Sequence, residues 1–179
     1  FLEEALGKLK REGKSMKMLY TVPSFENPTG AIMPQPSRTR LLELAERYDF
    51  LIVEDNPYGY IAFEEESPIP MKVFDKNNRV IYLSTFSKIV SPGLRIGWVT
   101  ADDAIIKKLG LAKSSVDLCS DGLSQYVASE LLNRGVVDRQ IKRTTHVYRV
   151  KRDLMLEAMD VNFPREAKWS KPRGGLFLW

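Results

Sequence analysis

The sequence predicts an α/β protein, a three-layer sandwich whose mainly parallel sheet lies between helices, followed by the start of a small α+β unit. Three observations carry that prediction. The runs Phe50-Leu51-Ile52-Val53-Glu54 and Val80-Ile81-Tyr82-Leu83 are almost continuously apolar, as strands covered on both faces are. Segments with helical periodicity separate such runs, the pattern of a parallel sheet with crossover helices. The conspicuous polar residues Asn27, Asp55, Tyr58, Thr85, Ser87 and Lys88 all follow predicted strands, and open α/β sheets bind ligands beyond those strand ends.

Taken in order, Phe1 to Glu12 has an amphipathic pattern closed by Gly13, a usual helix stop. "MKMLYTV" reads as a short strand, and "PSFENPTGAIMPQP" as a loop dense in Pro, Asn and Gly. Apolar spacing from Ser37 to Tyr48 predicts a helix begun near Pro36; "FLIVE" is the next strand, ending in Asp55-Asn56-Pro57-Tyr58. The acidic, proline-bearing "FEEESPIPMKVFDKNN" connects to the strand at Val80, and "LRIGWVT" gives another strand. Asp102 or Asp103 caps a helix to about Ala112, and two long helices follow over Ser120 to Arg134 and Val136 to Met159. Their apolar residues, Leu123, Val127 and Leu131 on one and Ile141, Val147 and Leu154 on the other, read as core stripes. After the Asn162-Phe163-Pro164 break a small separate unit is expected, which divides the chain into 1–160 and 161–179. The chain starts inside a helix without methionine and stops at "PRGGLFLW", which reads as a strand, so both ends are expected to continue in a longer protein.

Composition narrows the function classes. The 179 residues are 44% hydrophobic and 28% charged, values of a globular protein with a core of its own. The net charge of +4 is concentrated in "RQIKRTTHVYRVKRD", where bases alternate with apolar residues at helical spacing; this reads as a solvated helix face before a nucleic-acid patch. A single cysteine, Cys119, excludes an internal disulfide framework and CxxC motifs, and the lone His146 leaves little for a histidine metal site or triad. No metal is expected. No apolar run approaches the ~20 residues of a membrane span, and a reducing, cytoplasmic setting is expected.

The stretch "YLSTFSKIVSPGLRIGW" holds the chemistry. Lys88 sits in a hydroxyl-rich loop behind a buried strand, with Thr85, Ser87 and, seven residues on, Arg95. The residues alone leave two readings: a solvated lysine in an ordinary turn, or an amine beside an anion cradle. A lysine whose pKa is depressed by a neighbouring cation or by desolvation is a nucleophile for carbonyls. Arginine and hydroxyls suit a phosphate, an aspartate suits a protonated ring nitrogen, and tyrosine with asparagine suits a phenolate oxygen. Pyridoxal 5′-phosphate carries an aldehyde, a phosphate, a pyridine nitrogen and a phenolate together.

Four phrases, "SFENPTG", "VEDNPYGYIAF", "STFSKIVSPGLRIGW" and "PRGGLFLW", in this order across nearly the whole chain, resemble the class I and II aminotransferases of fold type I. Within these they are most similar to the aminoadipate and kynurenine aminotransferase group and to the aminotransferase-like domain of GntR-type regulators. The resemblance implies the large domain of the aspartate-aminotransferase-like fold, a homodimer, and pyridoxal 5′-phosphate held as a Schiff base on Lys88. It implies Asp55 on the ring nitrogen, Tyr58 and Asn27 on the ring oxygen, with Asn27 also near the substrate carboxylate. Thr85, Ser87 and Arg95 become the phosphate side. The catalytic set is then Lys88, Asp55 and Tyr58, and the substrates are an amino acid and a 2-oxo acid in amino acid metabolism and biosynthesis.

Two departures accompany it. Glu26 stands where many relatives carry Gln, which places a carboxylate close to the site or directed away from it. The family's phosphate-cradling loop and ring-stacking aromatic would precede Phe1, and its substrate-carboxylate arginine would follow Trp179. The chain alone is therefore expected to bind cofactor weakly and to be inactive. A ligand-sensing regulator domain and another reaction on the same cofactor, a lyase or decarboxylase, are the competing readings, since Asp55 and Lys88 would serve each.

Overall fold

The computed structural model describes residues 1–64 and 66–179. Among these, the elements are α1 (Leu2–Arg11), β1 (Met18–Thr21), α2 (Gln35–Tyr48), β2 (Leu51–Asp55), β3 (Val80–Thr85), β4 (Gly97–Thr100), α3 (Asp103–Val116), α4 (Gly122–Asn133) and α5 (Val136–Asn162). Short 3-10 turns lie at Met71–Phe74 and Pro92–Leu94. The sheet runs β1-β2-β3-β4, with β1, β2 and β3 parallel and β4 antiparallel at one edge. Register pairs Leu19 with Ile52, Asp55 with Leu83, and Leu83 with Val99.

Local chemistry accounts for the boundaries. Glu3 and Glu4 open α1, and Lys8, Lys10 and Arg11 close it, each sign complementing the helix dipole. Gly13 then takes φ +69°, with Lys14 N–H donating to Leu9 O at 2.9 Å and Gly13 N–H to Lys10 O at 3.2 Å. That is the Schellman closure, which needs a residue free to enter the left-handed region. Asp102 caps α3 by accepting the Ala104 amide at 2.9 Å, one of the two caps the sequence offers.

Three sequence expectations change. The predicted strand over 94–100 shortens to β4, because Leu94 closes a 3-10 turn and Arg95 is left-handed at φ 54°. The C-terminal "PRGGLFLW" forms no strand among the described residues; it contributes one antiparallel bridge, Ala62 with Gly174. Its glycine pair turns the chain at Gly175, φ +76°, directly over Phe25. The apolar stripes of the two long helices are also only partly core: Val127, Leu131 and Ile141 are partly buried, whereas Leu123, Val147 and Leu154 are exposed. Burial alternates along β2 and β3, with Ile52, Glu54, Val80, Tyr82 and Ser84 inside and their neighbours half-covered.

The buried apolar residues form two cores. Leu6, Leu41, Leu44, Ala45, Phe50, Ile52, Met71 and Val80 join α1 and α2 to one face of the sheet. Ile61, Phe63, Phe86, Ile89, Ala128 and Val137 form a second, which seats the loop after β3 on α4 and α5. Each of the larger side chains (Leu, Ile, Val, Phe, Met), fully buried, contributes about 1.5–3 kcal/mol. Between the first core and the loop of residues 23–33 lies Arg38, 1% exposed. Its guanidinium donates to Pro23 O (2.7 Å), Met33 O (2.9 Å), Ser24 Oγ (3.0 Å) and Ile69 O (3.2 Å), and stands 3.7 Å from Glu54 Oε1. Glu54 in turn accepts the Met71 and Lys72 amides at 2.8 and 2.9 Å. Burial pushes the Arg38 guanidinium down and the Glu54 carboxyl up from their ordinary values, and each is pulled back by the other's charge.

Candidate active site

The predicted site residues lie where three parallel strands end. Asp55 is the last residue of β2, and Thr85 the last of β3. Asn27 lies in the loop after β1, across a cis bond to Pro28, and Lys88 in the loop after β3. Asp55 points to the face opposite the α1–α2 core, since Glu54 points into it. Tyr58, only 8% exposed, packs edge-on against Phe177 with ring centroids 5.2 Å apart. Burial raises its hydroxyl above the ordinary phenol value; an Asn27 side-chain hydrogen bond draws it back, and the Asp55 charge adds to the rise. Asn27, Tyr58 and Asp55 are thus brought together.

The β3 loop explains how a lysine is turned outward. Phe86 and Ile89, 7% and 3% exposed, anchor both sides of Lys88 in the second core, and Phe86 packs against Trp98 at 4.9 Å. Lys88 between them is exposed. Thr85 Oγ1 accepts the Ser87 amide at 3.1 Å and lies 3.0 Å from Ser87 Oγ and 3.1 Å from Ile96 O. Its hydroxyl orders the turn that presents Ser87 and Lys88. Arg95, exposed and left-handed, donates to Pro92 O at 3.2 Å.

A model of the family described as aminotransferase class I and II matches residues 2–179. The chain belongs to that family. It is 49% identical to the aromatic-amino-acid aminotransferase 1 of Thermococcus litoralis, over 99% of this chain and 43% of that one. It is 37% identical to an HTH-type transcriptional regulator of Bacillus subtilis, over 91% of this chain and 34% of the regulator. Its structure superposes on a crystal structure of the Pyrococcus horikoshii kynurenine aminotransferase with a TM-score of 0.96 at 46% identity, covering 99% and 44% of the two chains. The chain spans less than half the length of each of these relatives.

Two further residues complete the local picture. Glu26 is turned into its own loop, where Oε2 accepts the Thr29 hydroxyl at 2.7 Å, and its backbone pairs with Gly30 and Ala31. Its carboxylate closes the NPTG turn. Tyr20, which the motif reading passes over, donates its hydroxyl to Asp55 Oδ2 at 2.6 Å. The available signal was positional: on β1, Tyr20 pairs with Val53, so it shares a sheet face with Asp55 two residues further along β2.

The donor set fits pyridoxal 5′-phosphate. Asp55 offers a carboxylate, Tyr58 and Asn27 offer paired hydroxyl and amide groups, Ser87 and Arg95 flank the loop with donors for an anion, and Lys88 offers an exposed amine.

Proposed function

We propose that the protein is a pyridoxal 5′-phosphate-dependent aminotransferase, which moves an amino group between an amino acid and a 2-oxo acid. The observation that carries this is the exposed amine of Lys88, seated by Phe86 and Ile89 beside strand ends that present Asp55, Tyr58 and Asn27. When bound, the cofactor supplies an aldehyde that captures amines and a ring that accepts the electron pair left at the substrate Cα. Lys88 would hold the cofactor through Nζ and, once displaced by substrate, act as the general base that takes the Cα proton. Such placed acid–base catalysis contributes typically about 10²–10⁴-fold. Asp55 would keep the ring nitrogen protonated, Tyr58 and Asn27 would orient the ring oxygen, Asn27 would also lie near the substrate carboxylate, and Ser87 and Arg95 would hold the phosphate with Thr85 ordering their turn.

On this reading residues 161–179 begin a second, smaller domain after the 1–160 unit, and the working form is a cytoplasmic homodimer. Leu111, Val116, Leu118, Leu123 and Tyr126 on or beside α3 and α4, each at least 67% exposed, supply apolar surface that such an assembly would cover. Among the described residues no helix is long and apolar enough to cross a membrane. The similarity to a transcriptional regulator supports a second reading, a sensing domain that binds the cofactor without turnover.

The test is reductive trapping in the complete protein. Borohydride treatment after cofactor loading is expected to fix the pyridoxyl group on Lys88 and nowhere on Lys88→Ala. An adduct mapped to another lysine refutes the assignment. Conversion of amino acids to 2-oxo acids by the loaded protein separates the enzyme from the sensor.

A further inference from the structure

Tyr20 belongs to neither of the two cores. Its hydroxyl reaches diagonally across the sheet to Asp55 Oδ2 at 2.6 Å, a separation typical of a charge-assisted O–H···O bond. The donor direction is fixed by the neighbours: the hydrogen bond to Asp55, the burial of the hydroxyl end and the Asp55 and Tyr58 groups together push the Tyr20 phenol up to about 12. The hydroxyl therefore stays protonated and gives its hydrogen to the carboxylate at any physiological pH.

We infer that Tyr20 is a positioning residue for the cofactor ring, acting through Asp55. By occupying Oδ2 it stops the half-exposed carboxylate from turning about its terminal bond, and it leaves Oδ1 as the oxygen offered to a ring N–H. The bond also disperses the carboxylate charge, so a proton shared between Asp55 and a ring nitrogen stays on the ring. A protonated ring is the form that accepts the electron pair from the substrate. This rests on the function proposed above, because it requires a pyridine nitrogen facing Asp55.

The test uses the complete protein loaded with cofactor whose ring nitrogen is isotope-labelled, and compares Tyr20→Phe with replacement of Tyr20 by a ring-fluorinated tyrosine. Borohydride is expected to trap the cofactor on Lys88 in all three proteins. Tyr20→Phe should raise the cofactor dissociation constant roughly tenfold, about 1.4 kcal/mol, and move the nitrogen resonance toward that of neutral pyridine. The fluorinated residue keeps the shape and is a stronger donor, so it should retain the cofactor and move the resonance the opposite way. A merely structural role would leave the resonance in place. Resonance and dissociation constant both within twofold of the unsubstituted protein in Tyr20→Phe, or no resonance shift with the fluorinated residue, overturn the inference even where Lys88 is trapped normally. Failure to trap Lys88 in the unsubstituted protein overturns the underlying assignment, and this one with it.

Discussion

Replacing Arg38 by Met tests whether the loop that carries Asn27 is held by a buried ionic clamp. The substitution keeps an unbranched, mostly apolar side chain of similar reach but removes all four hydrogen bonds of the guanidinium and its 3.7 Å approach to Glu54. Not every partner is orphaned. Pro23 O retains the Met33 amide at 2.9 Å, and Glu54 keeps the amides of Met71 and Lys72. What is lost is the donor to Met33 O, Ile69 O and the buried Ser24 Oγ, and the compensating charge beside a carboxylate that is 0% exposed. Breaking one side of a buried pair costs about 3–5 kcal/mol, and the surviving amide donors place this case near the lower end, about 3 kcal/mol. The loss falls on the loop, so amide hydrogen exchange in the complete protein is the assay. The amides of Glu26, Gly30 and Met33, which close the loop through Ala31 O, Glu26 O and Pro23 O, should exchange roughly 100-fold faster, since about 1.4 kcal/mol is a factor of ten. Arg38→Met combined with Glu54→Gln should lose less than the two single changes summed, because the second removes the charge that the first leaves unpaired. Acceleration below about fivefold, or strict additivity in the double variant, would refute the clamp.

Two further predictions concern stability. Gly174→Ala should be strongly destabilising, because an added Cβ would stand 2.3 Å from Phe25 Cζ and 2.4 Å from Ile61 O; overpacking of this kind costs typically about 1–3 kcal/mol, and thermal unfolding of the variant checks it, with an unchanged midpoint counting against the close approach. Asp75 supplies an acid-limb prediction: burial alone would raise its carboxyl, but the Lys72 ammonium and the Arg79 and Val80 amides at 2.9 Å outweigh burial and hold it below the ordinary value. A depressed folded-state pKa gives stability that is present above the unfolded value near 3.8 and lost as pH falls through the folded one. Stability of Asp75→Asn should accordingly fall less steeply than that of the unsubstituted protein below about pH 4, and parallel acid limbs would contradict the assignment.

The strand ends and the residues on them were legible because short-range chemistry fixes both. An apolar run followed by Asp-Asn-Pro or Thr-Phe-Ser-Lys can do little but end a strand in a polar turn. Gly13 and Asp102 mark helix ends by mechanisms that need no tertiary context. What the sequence hid was long-range. The 94–100 run has strand composition throughout, and the 3-10 turn ending at Leu94 with the left-handed Arg95 shortens it. "PRGGLFLW" has strand-like ends, yet its position is set by Phe25, some 150 residues earlier in the chain, pressing on its glycines. Tyr20 carries no motif at all, and its contact with Asp55 appears once β1 and β2 are in register. The direction of Glu26 was equally open until the Thr29 hydroxyl closed the turn on it.

Register also explains why two adjacent acids on one strand meet opposite surroundings. Along β2 successive side chains point to opposite faces. Glu54 therefore enters the α2 side of the sheet and meets Arg38 and two backbone amides, where it ties the strand to the 3-10 turn at Met71–Phe74 and to the loop carrying Asn27. Asp55 emerges on the other side, half-exposed, at the edge where Tyr20 and Tyr58 converge on it. A slip of one residue would reverse the two, burying the short carboxylate out of reach of Arg38 and presenting the long one to the site. Because Leu19 and Ile52 are both packed in the core and pair across the strands, that slip would also expose Ile52. The apolar packing that fixes the register is thus the same force that decides which carboxylate meets Arg38 and which meets Tyr20.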